Sequence, residues 1–78
     1  METKAYILIE TSVGRTREVA NALNNTKEIH SVDMVTGPYD VIATINATDI
    51  NTMGSLVTDK MHTLSGIVRT VTCVVVGT

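Results

Sequence analysis

The chain lacks the residues that usually let a small domain stand alone. Among 78 residues there is no Phe and no Trp, and Tyr6 and Tyr39 are its two aromatic side chains. The large-area core builders are therefore missing. A single cysteine, Cys73, excludes an intrachain disulfide. With it, His30 and His62 cannot complete a structural zinc site unless carboxylates join them, and His30, His62, Asp33 and Asp59 follow no known metal-ligand spacing. No metal and no cofactor is expected. The six basic residues lie scattered at Lys4, Arg15, Arg17, Lys27, Lys60 and Arg69, in a chain of net charge −2. No basic run follows a phosphate backbone, so direct nucleic-acid binding is not expected. No apolar run approaches the roughly 20 residues of a membrane span, and Met1-Glu2-Thr3-Lys4 leads into a strand-like run without a secretory leader. The expectation is a cytoplasmic protein with a free thiol and no membrane partner.

What remains is Val, Ile, Leu, Met and Ala. A core of this size supplies only about 3–5 kcal/mol. With disulfide and metal set aside, oligomerisation is the remaining source of stability.

Periodicity divides the chain into six elements. Lys4–Glu10 is strand-like, with Ala5, Ile7 and Ile9 on one face and Tyr6 and Leu8 on the other. Thr11-Ser12-Val13-Gly14 breaks it and offers hydroxyls for a helix N-cap. Arg15 to about Asn24 places Val19, Ala20, Ala22 and Leu23 on one helical stripe. Ile29–Val35 and Val41–Ala47 alternate as strands. Asp49 then caps a second helix whose Ile50, Met53, Val57, Met61 and Leu64 recur at three- and four-residue steps. Ser65-Gly66 ends that helix, and Ile67–Val76 reads as the last and longest strand. Cys73 alternates with Val71 and Val75, which predicts a buried, inert thiol.

The order βαββαβ predicts an α+β fold, the ferredoxin-like plait. In it, a four-stranded antiparallel sheet carries both helices on one face. With Val41, Ala43 and Ile45 under the helices, the expected bare face takes Ile42, Thr44 and Asn46, together with Thr70, Thr72 and Val74. That surface is too apolar for free solvent and lacks protecting charges. A second subunit is expected to cover it, sheet against sheet.

Thr36-Gly37-Pro38-Tyr39-Asp40 joins the two middle strands where Asn-Gly or Asp-Gly is usual. Pro38 fixes its own φ and biases Gly37 towards extended geometry. Backbone N–H groups around Tyr39 and Asp40 could receive a carboxylate, and the Asp40 carboxylate could pair with an α-ammonium group. The alternative is plain turn chemistry, with Asp40 bonding local amides. Met34 and Thr36 could line a side-chain pocket, or Met34 could pack as an ordinary strand residue. Thr70 and Thr72 offer two hydroxyls at sheet spacing, for a ligand or for a cross-strand ladder. Arg69 is expected to pair with an acid at a subunit contact or lie solvated, outside the ligand site. No paired carboxylates, nucleophile–base pair or phosphate loop is visible, so no catalytic residue is assigned.

Val35-Thr36-Gly37-Pro38-Tyr39-Asp40, the helix containing Leu56-Val57-Thr58-Asp59-Lys60, and Gly66-Ile67-Val68-Arg69-Thr70-Val71-Thr72 together resemble the effector-binding domain of Lrp/AsnC transcription regulators, also called the RAM domain (regulation of amino-acid metabolism). The segment Gly14…Glu18-Val19 fits as well. The resemblance runs from about Ala5 to Val76, making residues 1–78 a single domain. Full-length members join such a module to a helix-turn-helix domain, for which this chain leaves no room. A stand-alone form is the expectation, and DNA binding does not carry over.

The resemblance implies a β-sandwich dimer of the dimeric α/β-barrel type, with dimers joined into an octamer or another ring. It also implies an amino-acid-like effector held where subunits meet, with Met34, Thr36, Gly37, Pro38, Tyr39, Asp40, Thr70 and Thr72 as ligand-binding residues. A full-length Lrp/AsnC regulator is the implied partner. Two other readings stay open: a small dimeric α/β-barrel enzyme resembling monooxygenases, and an assembly partner that binds no ligand.

Overall fold

Alternation in the first strand sets the layers. In β1 (Thr3–Thr11), Ala5, Ile7 and Ile9 are fully buried while Tyr6 between them is 40% exposed. The computed structural model describes residues 2–77; Met1 and Thr78, the ends of the expected 1–78 domain, lie outside the described residues. After β1 come α1 (Thr16–Asn24), β2 (Ile29–Met34), β3 (Val41–Ala47), α2 (Ile50–Leu56), a π-helical segment (Val57–Met61) and β4 (Ile67–Val74). The strands form one antiparallel sheet in the order β2-β3-β1-β4. This is the ferredoxin-like plait that the order of elements predicts.

The core lies between the sheet and its helices. Ala5, Ile7 and Ile9 pair across β1 and β3 with Ile45, Ala43 and Val41. Val19 and Leu23 of α1 and Met53 and Met61 close over them. Burying a side chain of this kind contributes about 1.5–3 kcal/mol relative to exposure, so the two central strands and these helical stripes carry most of the stability.

Two helix starts differ in chemistry. The Asp49 side chain accepts from the Thr52 N–H at 2.8 Å, the cap that the sequence predicts. That backbone hydrogen bond from Thr52, with smaller help from the Thr52 and Thr48 side chains, holds the Asp49 carboxyl below its ordinary value. At α1 the N-cap is Arg15 and no side chain caps it. The expected hydroxyl cap is not made, because the Thr11 hydroxyl is turned to other partners.

The second helix changes character midway. After Leu56 the chain passes into a π turn closed by the His62 N–H on the Val57 carbonyl at 3.3 Å. Val57 and Met61 stay buried, so the apolar stripe persists through the wider turn. Gly66, at φ +96°, then reverses the chain into β4, where its carbonyl accepts from the Ser12 N–H at 2.8 Å. A Cβ there would sit 3.0 Å from Val19 Cγ2 and 3.2 Å from Arg15 Cβ, so both the dihedral and the space call for glycine.

β4 corrects the expected face assignment. Thr70, Thr72 and Val74 pair with Ile9, Ile7 and Ala5. Directly opposed residues of an antiparallel pair share a face, so these three lie on the helix side. The outer face takes Arg69, Val71 and Cys73, opposite Glu10, Leu8 and Tyr6, and continues through Ile42, Thr44 and Asn46 of β3. Cys73 is exposed on that face, not buried as its alternation with valines predicts, because no described element of the chain covers the outer surface.

Candidate functional site

The hairpin between β2 and β3 is built from a few fixed points. The Val35 N–H donates to the Asp40 carbonyl at 2.9 Å and closes the loop. Thr36, Gly37 and Pro38 project into solvent, with Tyr39 and Asp40 half-buried behind them. Gly37 adopts φ +129°, the mirror of the extended region that the following proline favours in other residues. Gly37 thus takes the mirror image of the expected extended geometry, and a side chain there would be strained.

Asp40 is a latch. Its Oδ2 accepts from the Thr11 N–H at 2.8 Å and from the Thr11 hydroxyl at 3.1 Å. Thr11 Oγ1 also lies 2.7 Å from Thr16 Oγ1, which ties the start of α1 into the same cluster. The Asp40 N–H, expected among the free donors of the turn, donates instead to the Ile9 carbonyl at 2.9 Å. Turn chemistry is thus present, but it reaches across the sheet to β1 and is not local.

Tyr39 makes the second tie. Its hydroxyl accepts from Arg69 Nη2 at 3.3 Å, and the guanidinium carbon stands 5.5 Å from the ring centroid. Arg69 Nε lies 3.5 Å from Glu10 Oε1. The hairpin, the end of β1 and the start of β4 therefore meet through one arginine that the sequence reading leaves outside the site.

Beside that arginine is a cavity of about 240 Å³ lined by Met61, His62, Ile67, Val68, Arg69 and Thr70. It lies where the π turn runs out and β4 begins. Of the residues expected to bind ligand, Thr70 lines it. Thr72 follows on the same helix-side face but is exposed. Met34 is also helix-side by register, opposite Val41, and 48% exposed at the sheet edge. Thr36, Gly37 and Pro38 stand apart on the hairpin tip, and Tyr39 connects through Arg69 alone. The sequence does carry one signal for the missed residues: Ser65-Gly66 returns the chain so abruptly that positions 61–62 must lie near 67–70. Among the described residues, no group of three His, Cys, Asp or Glu side chains could hold a metal ion, and no helix is long and apolar enough to cross a membrane.

The comparisons with known proteins return the same fold. The Lrp/AsnC ligand binding domain family model matches residues 4–78. The chain belongs to this family. The Lrp/AsnC domain is 33% identical over 75 residues to an uncharacterized HTH-type transcriptional regulator of Pyrococcus horikoshii, covering 92% of this chain and 50% of that protein. It spans about half the length of the curated relatives it matches. Among solved structures, a protein from Thermus thermophilus superposes with a TM-score of 0.91 at 28% identity, covering 97% of this chain and 95% of the other. A transcriptional regulator of Neisseria meningitidis, solved in complex with L-Met, shares the fold with a TM-score of 0.85 at 22% identity, over 96% of this chain and 50% of that one.

Proposed function

We propose that this Lrp/AsnC domain is an effector-binding and oligomerising module. Its ligand is a small amino acid or related metabolite, held where subunits meet near the Gly37-Pro38 hairpin and the start of β4. Through shared assembly it modulates full-length regulators of its family. The carrying observation is the uncovered outer sheet face. Tyr6, Leu8, Ile42, Val71 and Cys73 form an apolar surface over which the described chain lays no helix. Exposed apolar patches of this kind mark association sites. A second copy packed sheet to sheet gives a β-sandwich dimer, and dimers meeting at their hairpins give an octamer or another ring.

The family supplies the ligand-binding character. The L-Met bound to the Neisseria meningitidis regulator supplies a first probe. The reading as an α/β-barrel enzyme gains little support, because the space between sheet and helices holds Ile7, Ile9, Leu23, Met53 and similar groups with no acid–base chemistry. The reading as a ligand-free partner draws on the Asp40–Thr11 latch, which gives the hairpin carboxylate a structural use.

Native mass measurement at micromolar concentration, with and without L-methionine and with pooled amino acids, tests the proposal. A dimer or ring of dimers whose distribution shifts with ligand is expected. A well-folded, strictly monomeric species overturns it, and an unchanged assembly with no calorimetric heat leaves the ligand-free partner as the better account.

A further inference from the structure

We propose that the free edge of β4 is a second association surface, where the strand pairs antiparallel with β4 of another copy and joins two sheets into one. This contact is separate from the outer-face packing described above and adds to it.

The ladder fixes which backbone groups are available. β4 ends the sheet, with β1 on one side and no described strand on the other. The Val75 N–H donates to the Lys4 carbonyl at 2.8 Å, continuing the register that pairs Ala5 with Val74 and Tyr6 with Cys73. Residues of an antiparallel ladder alternate between bonding to the neighbour and pointing away from it. Val71 and Cys73 therefore bond to β1 as Val75 does, while Thr70, Thr72 and Val74 turn their N–H and C=O groups outward. The other side of β1 agrees: the Ile9 carbonyl is directed to the hairpin, where it accepts from the Asp40 N–H at 2.9 Å.

Exposed edges are normally guarded by charge, proline or a bulge. β2, at the opposite margin, has a register irregularity between Ile29 and Ser31 and an exposed Asp33. Thr70-Val71-Thr72-Cys73-Val74-Val75 has no charge, no proline and no glycine, and every residue but Cys73 is β-branched. The irregularity of β4 lies before this stretch, opposite Glu10 and Thr11. Thr72 is exposed, so no helix walls the edge off.

A second copy is the occupant because the edge complements itself. With a two-fold axis at Thr72, Thr70 and Val74 of one chain pair with Val74 and Thr70 of the other, and Thr72 meets Thr72. Each of these outward residues then has a partner, and paired threonines add side-chain hydrogen bonds. On the outer side Val71 stands opposite Cys73 and Arg69 opposite Val75, so no like charges meet. Both outer faces remain on one side of the joined sheet, open to face-to-face packing.

The test is amide hydrogen exchange of the whole chain, read residue by residue by NMR, beside native mass. In wild type the Thr70, Thr72 and Val74 amides should exchange within about tenfold of those of Val71 and Cys73, whereas on an unpaired edge they exchange at least about a hundredfold faster. Thr72→Pro removes an outward N–H that the chain's own sheet does not use, a place where edge strands tolerate proline. It should restore fast exchange at Thr70 and Val74 and halve the mass of the largest species, with circular dichroism confirming the fold. Thr72→Cys in a Cys73→Ser background should give a disulfide-linked dimer under mild oxidation, since directly paired Cα atoms lie about 5.5 Å apart. Outer-face packing alone cannot bring those helix-side thiols together. Alternating protection in wild type, with Thr70, Thr72 and Val74 fast, overturns the proposal, as does a folded Thr72→Pro chain of unchanged mass and protection. Slow exchange without the cross-link also overturns it, because another strand then occupies the edge. If Thr72→Pro does not fold, the wild-type exchange pattern and the cross-link decide.

Discussion

Replacing Asp40 by alanine asks how much the hairpin latch is worth. The carboxylate accepts two hydrogen bonds from Thr11, at 2.8 and 3.1 Å, and Thr11 is only 9% exposed. Removing the acceptor strands a buried N–H, which costs about 1–3 kcal/mol, and hydrogen bonds to charged groups are themselves worth about 1.5–3 kcal/mol. These overlap, so the expected loss for Asp40→Ala is about 2–3 kcal/mol. Asp40→Asn keeps a carbonyl that can receive the Thr11 N–H and should lose about 1 kcal/mol. Against the roughly 3–5 kcal/mol available to a core of this size, the alanine variant gives up about half.

Urea denaturation followed by circular dichroism reads this directly. With a slope of about 1 kcal/mol per molar for a small chain, the midpoint should fall by about 2–3 M for alanine and about 1 M for asparagine. Protein concentration must be matched across variants, because the proposed assembly would add stability by mass action. Thr11→Val removes the hydroxyl but keeps the amide, so the pair should couple by at least about 0.5 kcal/mol in a double-mutant cycle. An alanine variant within about 0.5 kcal/mol of wild type would refute the latch and return Asp40 to the list of groups free to meet a ligand.

Gly66→Ala combines φ +96° with a Cβ 3.0 Å from Val19 Cγ2, and should lower stability by about 1–3 kcal/mol in a thermal melt. Gly54→Ala in α2, with open space around its Cβ, should raise it by about 0.5–1 kcal/mol. The Asp49 carboxyl is held below its ordinary value of 3.8, so its contribution is complete above that value and lost as pH falls through the depressed one. Far-UV circular dichroism should therefore show α2 loosening in that acid window, with the step absent in Asp49→Asn. Val71→Lys places a charge in the middle of the outer face and should shift the native mass towards the monomer without unfolding the chain.

Much of the fold is legible in the sequence, and the failures have physical causes. In β1 and β3 the helix-side face is wholly apolar, Ala5, Ile7, Ile9 and Val41, Ala43, Ile45, while the alternates mix Tyr6, Leu8 and Ile42 with Thr44 and Asn46, so composition favours the parity seen. In β4, Val and Thr occupy both parities, so pattern alone does not say which set faces the helices. Only the pairing with β1 decides it. The π turn escapes notice because Val57 and Met61 keep the same four-residue step that an α-helix would give. The hairpin's position is plain from Gly37-Pro38, but the use of Asp40 is not. A local turn bond and a bond to an amide on β1 require the same carboxylate, and sequence spacing does not separate them. Arg69 is missed because its partners, Tyr39 and Glu10, come from two other elements that only the closed sheet brings together.

β4 is where binding and assembly would become one event. Its odd positions, Arg69, Val71 and Cys73, face the outer sheet surface, while Thr70 lies on the helix side and lines the cavity. Arg69 also ties the hairpin to the strand through Tyr39. Anything that draws the guanidinium away would release that tie and leave the Asp40–Thr11 and Asp40–Ile9 bonds holding the base of the hairpin to β1. The hairpin tip can then adjust relative to β4 while the core stays as it is. A ligand shifts assembly only by the difference between its affinities for the two states, and linkage requires assembly to change ligand affinity by the same factor. Ligand affinity should then depend on protein concentration in wild type. If Tyr39→Phe removes that dependence while the dimer persists, the Tyr39–Arg69 tie is the element both events bias.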